Sequence, residues 1–240
     1  MSALHPIAAG LWSVHNDLFL PGGVHFPGRM VVVELASGGL LLHSPVPIDA
    51  ACQAELAALG PVEHIVAPNK LHHLYVEACQ QAFPEATTWA APGLAQKRPD
   101  LRFDATLPAS GQSAPPWAAD FEPCFIPGIP WMNETAFLHP PSRTLVVTDL
   151  FFNLVEVANR RSRWLFTLYG VFGRPTQSPV VWWMTRDVAL AGAAAQSLLA
   201  WRPERLVPAH GAVVEVDATS VLAAVLQRLI AAASVQVEAR

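Results

Sequence analysis

Val66-Ala67-Pro68-Asn69-Lys70-Leu71-His72-His73 is the stretch that decides the fold: an apolar run from Glu63 to Val66 stops there, and two adjacent histidines open a predicted helix. Neighbouring residues on a strand point to opposite faces. At a helix start they lie about 100° apart around the axis and can reach one ion. His72 and His73 are therefore a candidate metal clip. Beyond them Leu74, Ala78 and Ala82 recur at helical spacing, Pro84 lies past the helix end, and Thr87–Ala90 reads as a strand. From Val62 to Ala90 the order is strand, turn, helix, strand, the pattern of a parallel crossover. Such folds place ligands outside the carboxyl ends of strands, where the histidine pair falls.

Working outward, Met30–Leu35 and Leu40–His43 are short apolar runs joined by Ala36-Ser37-Gly38-Gly39, which is hairpin chemistry. Asp49 caps a helix that runs to Leu59 and stops at Gly60. On the other side, Ala91–Asp120 is rich in proline, glycine and serine without a sustained period, and reads as a long surface connection. Strands resume at about Pro123–Ile126, Thr135–Leu138 and Thr144–Val147, with Pro140-Pro141-Ser142 as the last turn between them. Asp187 caps an alanine-rich helix to about Trp201, Arg205–Pro208 is a short strand, and Asp217 opens the final helix.

Composition bounds what such a chain does. With 240 residues, 52% hydrophobic and 14% charged, it is expected to form one domain over 1–240 with a sizeable core and elements covered on both faces, as in a layered α/β protein. A formal charge of −4 offers no general field for nucleic acid, which is excluded as a partner class. Cys52, Cys79 and Cys124 are far apart and form no CxxC pair, so buried thiols in a reducing compartment are expected. The first ten residues lack a cationic start followed by an apolar core, and no stretch has the roughly 18 uninterrupted apolar residues of a transmembrane segment; the expectation is cytoplasmic.

Two more candidate ligands stand at strand ends. Asp149 follows Thr144–Thr148, and His210 follows Arg205–Pro208. Taken singly, the aspartate reads first as a helix cap or turn residue and each histidine as a hydrogen-bonded structural residue. Taken together, imidazoles and a carboxylate after apolar strands suit zinc or iron. His43 also ends a strand and is a further candidate to line a pocket, whereas His5, His15, His25, His64 and His139 have no such partners in sequence. The segment 151–186 carries Arg160, Arg161, Arg163, Arg174 and Arg186 against the single acid Glu156, among many aromatics. It reads as buried aromatics with solvated arginines, as a cover over a pocket, or as a patch for a partner or membrane surface.

The order of elements, the histidine turn, Ile126-Pro127-Gly128, the strand into Thr148-Asp149 and Pro208-Ala209-His210-Gly211 resemble the metallo-β-lactamase superfamily over nearly the whole chain from about Leu11. The resemblance implies a four-layer αββα sandwich with a metal site along one edge. Within the signature HxHxDH, Asn69 and Leu71 stand at the first two histidines, His72 at the aspartate, and His73 is unchanged. Ile129 follows Pro127-Gly128 where the family has another histidine. Pro68–His73, Lys97-Arg98-Pro99-Asp100, Ser142–Leu145 and Asp149–Asn153 resemble a branch of the superfamily in which that signature is degenerate.

The resemblance implies that the first metal position is lost. At most one ion, zinc with iron or manganese as alternatives, would be held by His72, His73, Asp149 and His210. Asp149 matches the bridging carboxylate and would also orient the attacking water, making it the catalytic residue; Asn69 and Lys70 would contact the substrate. The implied function is a single-metal hydrolase acting on a small molecule of unknown identity, an ester, amide, thioester or phosphodiester. The competing reading is a non-catalytic binding or structural protein that keeps the fold without a functional metal centre, its histidines satisfied by hydrogen bonds and segment 151–186 serving a partner or a homo-oligomer. A pocket that binds a small anion without turnover is a third.

Overall fold

Alternation along the third strand explains the layering. The computed structural model describes residues 3–109 and 111–238. Its first sheet runs β1 (His5–Ala8), β2 (Leu11–Leu20), β3 (Val24–Glu34), β4 (Leu40–His43), β5 (Val62–Ala67), β6 (Thr87–Ala90) and β7 (Ala105–Thr106), in that spatial order. The first four strands pair antiparallel and the later ones parallel. On β3, Val31 and Val33 face one core while Met30 and Val32 face another, the period-two pattern of a sheet covered on both sides. The outer core packs Met30, Val32, Leu40, Leu42 and Ile65 against Cys52 and Leu56 of α1 (Ala50–Leu59) and Cys79 of α2 (Val76–Ala82).

The second sheet comprises β8 (Glu122–Phe125), β9 (Thr135–His139), β10 (Thr144–Val147) and β11 (Arg205–Pro208), ordered β11-β10-β9-β8, with β10 and β11 parallel. Phe137, Val146 and Val207 point into the inter-sheet core opposite Val31, Leu41 and Val66. Ala136, Leu145, Val147 and Leu206 point outward onto α6 (Val188–Ala200) and α7 (Ala218–Glu238). The layers are therefore helix, sheet, sheet, helix, as the αββα resemblance implies. Asp187 caps α6 through Leu190 N–H, and Asp49 caps α1 through Cys52 N–H. Shorter helices α3 (Leu94–Lys97), α4 (Arg160–Leu168) and α5 (Pro179–Met184) lie in the connections.

Two expectations are corrected. The helix begins at Val76, not at the histidines, because Asn69 Oδ1 accepts the N–H groups of Leu71 and His72 and holds 69–75 in a turn. The connection 91–120 is not simply a surface loop: Leu107, Trp117 and Phe121 are buried in the inter-sheet core, with Phe121 stacked on Phe137 at 4.6 Å. Its proline and glycine content hides apolar anchors that have no secondary-structure period.

Candidate metal centre

The parallel strands β4, β5, β10 and β11 all end on one edge, and the candidate residues gather there. Asp149 leaves β10, His210 leaves β11, and His72 sits on the turn after β5. His72 Nε2 is 3.2 Å from Asp149 Oδ2 and 3.2 Å from His210 Nε2, while His210 Nε2 is 3.5 Å from Asp149 Oδ1. Among the described residues, this is the group of histidine, cysteine and carboxylate side chains close enough to share an ion. All three are largely buried.

Each member is held from behind. His210 Nδ1–H donates to the Pro27 carbonyl over 2.7 Å; because a carbonyl only accepts, the neutral ring presents a lone pair at Nε2. His72 Nδ1 lies 2.6 Å from Ser44 Oγ, a hydroxyl that serves either tautomer. Ser44 is fixed by backbone in the left-handed region (φ 59°) and by its N–H to Val66 O. Asn69 donates its amide to Asp149 Oδ2 at 2.7 Å and to Thr148 Oγ1 at 2.9 Å. Glu134, fully buried, accepts the N–H groups of Thr148 and Asp149 and so fixes the end of β10. Arg29, also buried, donates to the carbonyls of Pro208 and Gly211 on either side of His210. Phe26 stacks on the His210 ring at 4.1 Å.

Electrostatics follows this packing. Burial alone would lower the His72 imidazole, but the charge of Asp149 and the hydrogen bond to it, with Glu134 behind, raise it overall. Burial would likewise raise Asp149; His72 and His210 instead hold it well below the usual carboxylate range. Glu134 moves up, chiefly through burial and then the Asp149 charge. Burial pushes the Arg29 guanidinium down to about 10.

A bound ion sets the spacing of its ligands. A tetrahedral ion with bonds of about 2.0–2.1 Å has ligand–ligand edges of roughly 3.3–3.4 Å. The imidazole nitrogens lie 3.2 Å apart, and Asp149 brings Oδ2 to 3.2 Å from His72 Nε2 and Oδ1 to 3.5 Å from His210 Nε2, so the three residues are close enough to share one ion. They face a cleft of about 240 Å³ whose walls include Leu18, Leu20, Phe26, Val46, Leu71 and Leu74.

Four sequence-based candidates do not line the cleft. His73 points away from the cluster, its Nδ1 2.7 Å from Arg98 Nη1, because the pair stands on a turn that aims adjacent side chains apart. Asn69 is fully buried and donates to Asp149, so it braces the carboxylate and is not on the cleft wall. Lys70 does not line the cleft, and its Nζ donates to Pro130 O at 2.9 Å. His43 is not a lining residue either: it is buried edge-on to Phe121 and Phe137, with neither ring nitrogen hydrogen-bonded. Ser44, Glu134 and Arg29 went unread in the sequence. Ser44 alone carried a signal, its place directly after β4.

Residues 11–162 match the family described as a domain of unknown function, DUF4336. The chain belongs to that DUF4336 family. No curated protein matches it. Solved structures similar to this DUF4336 chain are metallo-β-lactamases. One from Erythrobacter litoralis, with β-mercaptoethanol in its active site, is 14% identical with a TM-score of 0.65, over 94% of this chain and 96% of that one. One from Pontibacter korlensis is 15% identical with a TM-score of 0.61, over 93% and 98%. FIM-1 from Pseudomonas aeruginosa, in a mono-zinc form, is 13% identical with a TM-score of 0.61, over 94% of each chain. The DUF4336 chain thus has a metallo-β-lactamase-like fold. Among its described residues no helix is long and apolar enough to cross a membrane.

Proposed function

We propose that this protein is a single-metal hydrolase whose ion is held by His72, Asp149 and His210. The observation that carries the reading is the convergence of His72 Nε2 and His210 Nε2, 3.2 Å apart, on the two oxygens of the Asp149 carboxylate at 3.2 and 3.5 Å, each side chain braced from behind and turned toward an apolar cleft. Zinc is the first candidate and iron the second, since two imidazoles and a carboxylate suit both. Bound there, the ion would supply a water whose pKa falls to around 7.

The chain's own residues do the rest. Three protein ligands would leave a coordination position open, the pattern of catalytic rather than structural sites. The Asn69 amide donates to Asp149 Oδ2 and so fixes the carboxylate, which would ligate the ion and orient the attacking water. The walls from Leu18, Phe26, Val46 and Leu71 exclude bulk water and fit a compact apolar group next to the bond being cleaved. An ester or thioester with an apolar acyl part meets that requirement, as do the corresponding amides and phosphodiesters.

A screen of small apolar esters and thioesters with zinc-loaded protein tests the proposal. Turnover abolished in Asp149→Asn, with folding intact, is the expected result; turnover equal in the variant would refute the role of Asp149. One observation favours a non-catalytic alternative: the cluster is already a closed hydrogen-bonded set, with His72 paired to Asp149. That alternative predicts no metal-dependent turnover on any of these substrates.

A further inference from the structure

Helix α4 turns the wrong face to solvent for an ordinary surface helix. Its inner side buries Ser162 and Phe166, and the opposite side presents Arg160, Trp164 and Leu168, flanked by Arg163. Trp164 is 65% exposed, Leu168 69% and the adjoining Tyr169 51%. Large apolar side chains at such exposure on one helix face mark an interaction surface. The helix is also tied to the tip of the β2–β3 hairpin: Arg161 Nη1 donates to Gly22 O at 2.6 Å and Asn159 Nδ2 to Gly23 O at 3.1 Å. That tip adds Phe19, 58% exposed, and Leu20, 40% exposed.

Charge selects the occupant. In a chain whose formal charge is −4, α4 itself carries three arginines, Arg160, Arg161 and Arg163, and no acid. One acid near the tip, Asp17, accepts a hydrogen bond from His25 Nε2 at 2.6 Å, and the arginines of α4 outnumber it. A second copy meeting this face across a two-fold axis would set arginines against arginines. Tryptophan and leucine interleaved with arginine on one helix face, with an exposed tyrosine at its end, is instead the chemistry of a membrane interface, where rings and aliphatic groups enter the headgroup layer and guanidinium groups meet anionic lipid.

We propose that α4 and the β2–β3 tip dock this protein peripherally on an anionic lipid surface. Leu20 belongs both to this face and to the wall of the metal-centre cleft, so docking sets the cleft mouth at the lipid boundary. The inference stands on the α4 face and does not depend on hydrolysis.

Co-sedimentation of the full chain with phosphatidylcholine vesicles, with and without phosphatidylserine, tests it. Binding is expected to the mixed vesicles only, and to weaken as salt is raised. Replacing Arg160→Gln and Arg163→Gln together should weaken it by roughly fivefold per arginine. Trp164→Ser with Leu168→Ser should abolish it while leaving metal binding unchanged. No binding to either vesicle, equal binding to both, or mixed-vesicle binding untouched by these changes would overturn the proposal. So would concentration-dependent dimerisation that Trp164→Ser removes, since the face would then belong to a second copy. If a variant fails to fold, the salt dependence and lipid preference of the unaltered chain decide.

Discussion

Arg29 grips the chain on both sides of His210, through the carbonyls of Pro208 and Gly211, while the Pro27 carbonyl on the same strand accepts the His210 Nδ1–H hydrogen bond. Groups behind a metal ligand commonly contribute 10–100-fold to affinity. Arg29→Met should therefore weaken zinc binding by about that factor in competition with a chromophoric chelator, and unchanged affinity would show that Pro27 alone orients the ring. His43 sits in the core without a hydrogen bond, and burial, aided by the charge of His72, pushes it down to about 3. The unfolded chain then binds a proton that the folded chain refuses, so stability present above about pH 6.5 declines as pH falls toward 3, at up to about 1.4 kcal/mol per unit. Urea unfolding at neutral and acid pH should show a shallower decline for His43→Leu; identical slopes would remove His43 as the cause. Asp149 and His210 were legible because strand ends fix where side chains emerge. The histidine pair was half legible: HxHxDH has six places and Asn69–His73 has five residues, so the signature could not assign each position, and the Asn69 turn decided that His72 enters the site and His73 leaves it. Glu134 and Arg29 were illegible, since their partners are backbone atoms distant in sequence.

At the scale of elements, most of the fold could be read where period and punctuation agree. Asp49 to Gly60, Thr87–Ala90 and Asp187 to the end of α6 stand as the capping and turn residues suggest. The β2 strand escaped notice because its polar residues Ser13, His15, Asn16 and Asp17 interrupt the apolar pattern, and Pro27-Gly28 masked the first half of β3. Closeness between helices is specified by single small residues. A Cβ added at Gly192 of α6 would lie 2.3 Å from Ala233 Cβ and 2.8 Å from Leu229 O of α7. Gly192→Ala must push the two helices apart, and a loss of about 1–3 kcal/mol is expected from the overpacking. Thermal unfolding measures it, and a variant as stable as the parent would mean that α7 slides freely on α6. The connection 91–120 contributes by contrast through its anchors: Trp117→Ala should cost about 3–5 kcal/mol, where a true surface loop would cost little.

For the molecule as a whole, two sheets covered by helices leave one edge on which the carboxyl ends of β5, β10 and β11 deliver His72, Asp149 and His210 from turns far apart in sequence. The fold was legible because the order of elements and the strand-end residues recur across the whole chain; the chemistry was less so, because whether three donors converge depends on turn geometry. The central claim is that they converge to hold one ion. Elemental analysis of protein purified without an affinity tag, beside a His72→Ala, His210→Ala double variant, tests it most directly. About one equivalent of zinc, iron or manganese in the parent and none in the variant is the predicted result. Substoichiometric metal in both, even after incubation with zinc, would contradict it.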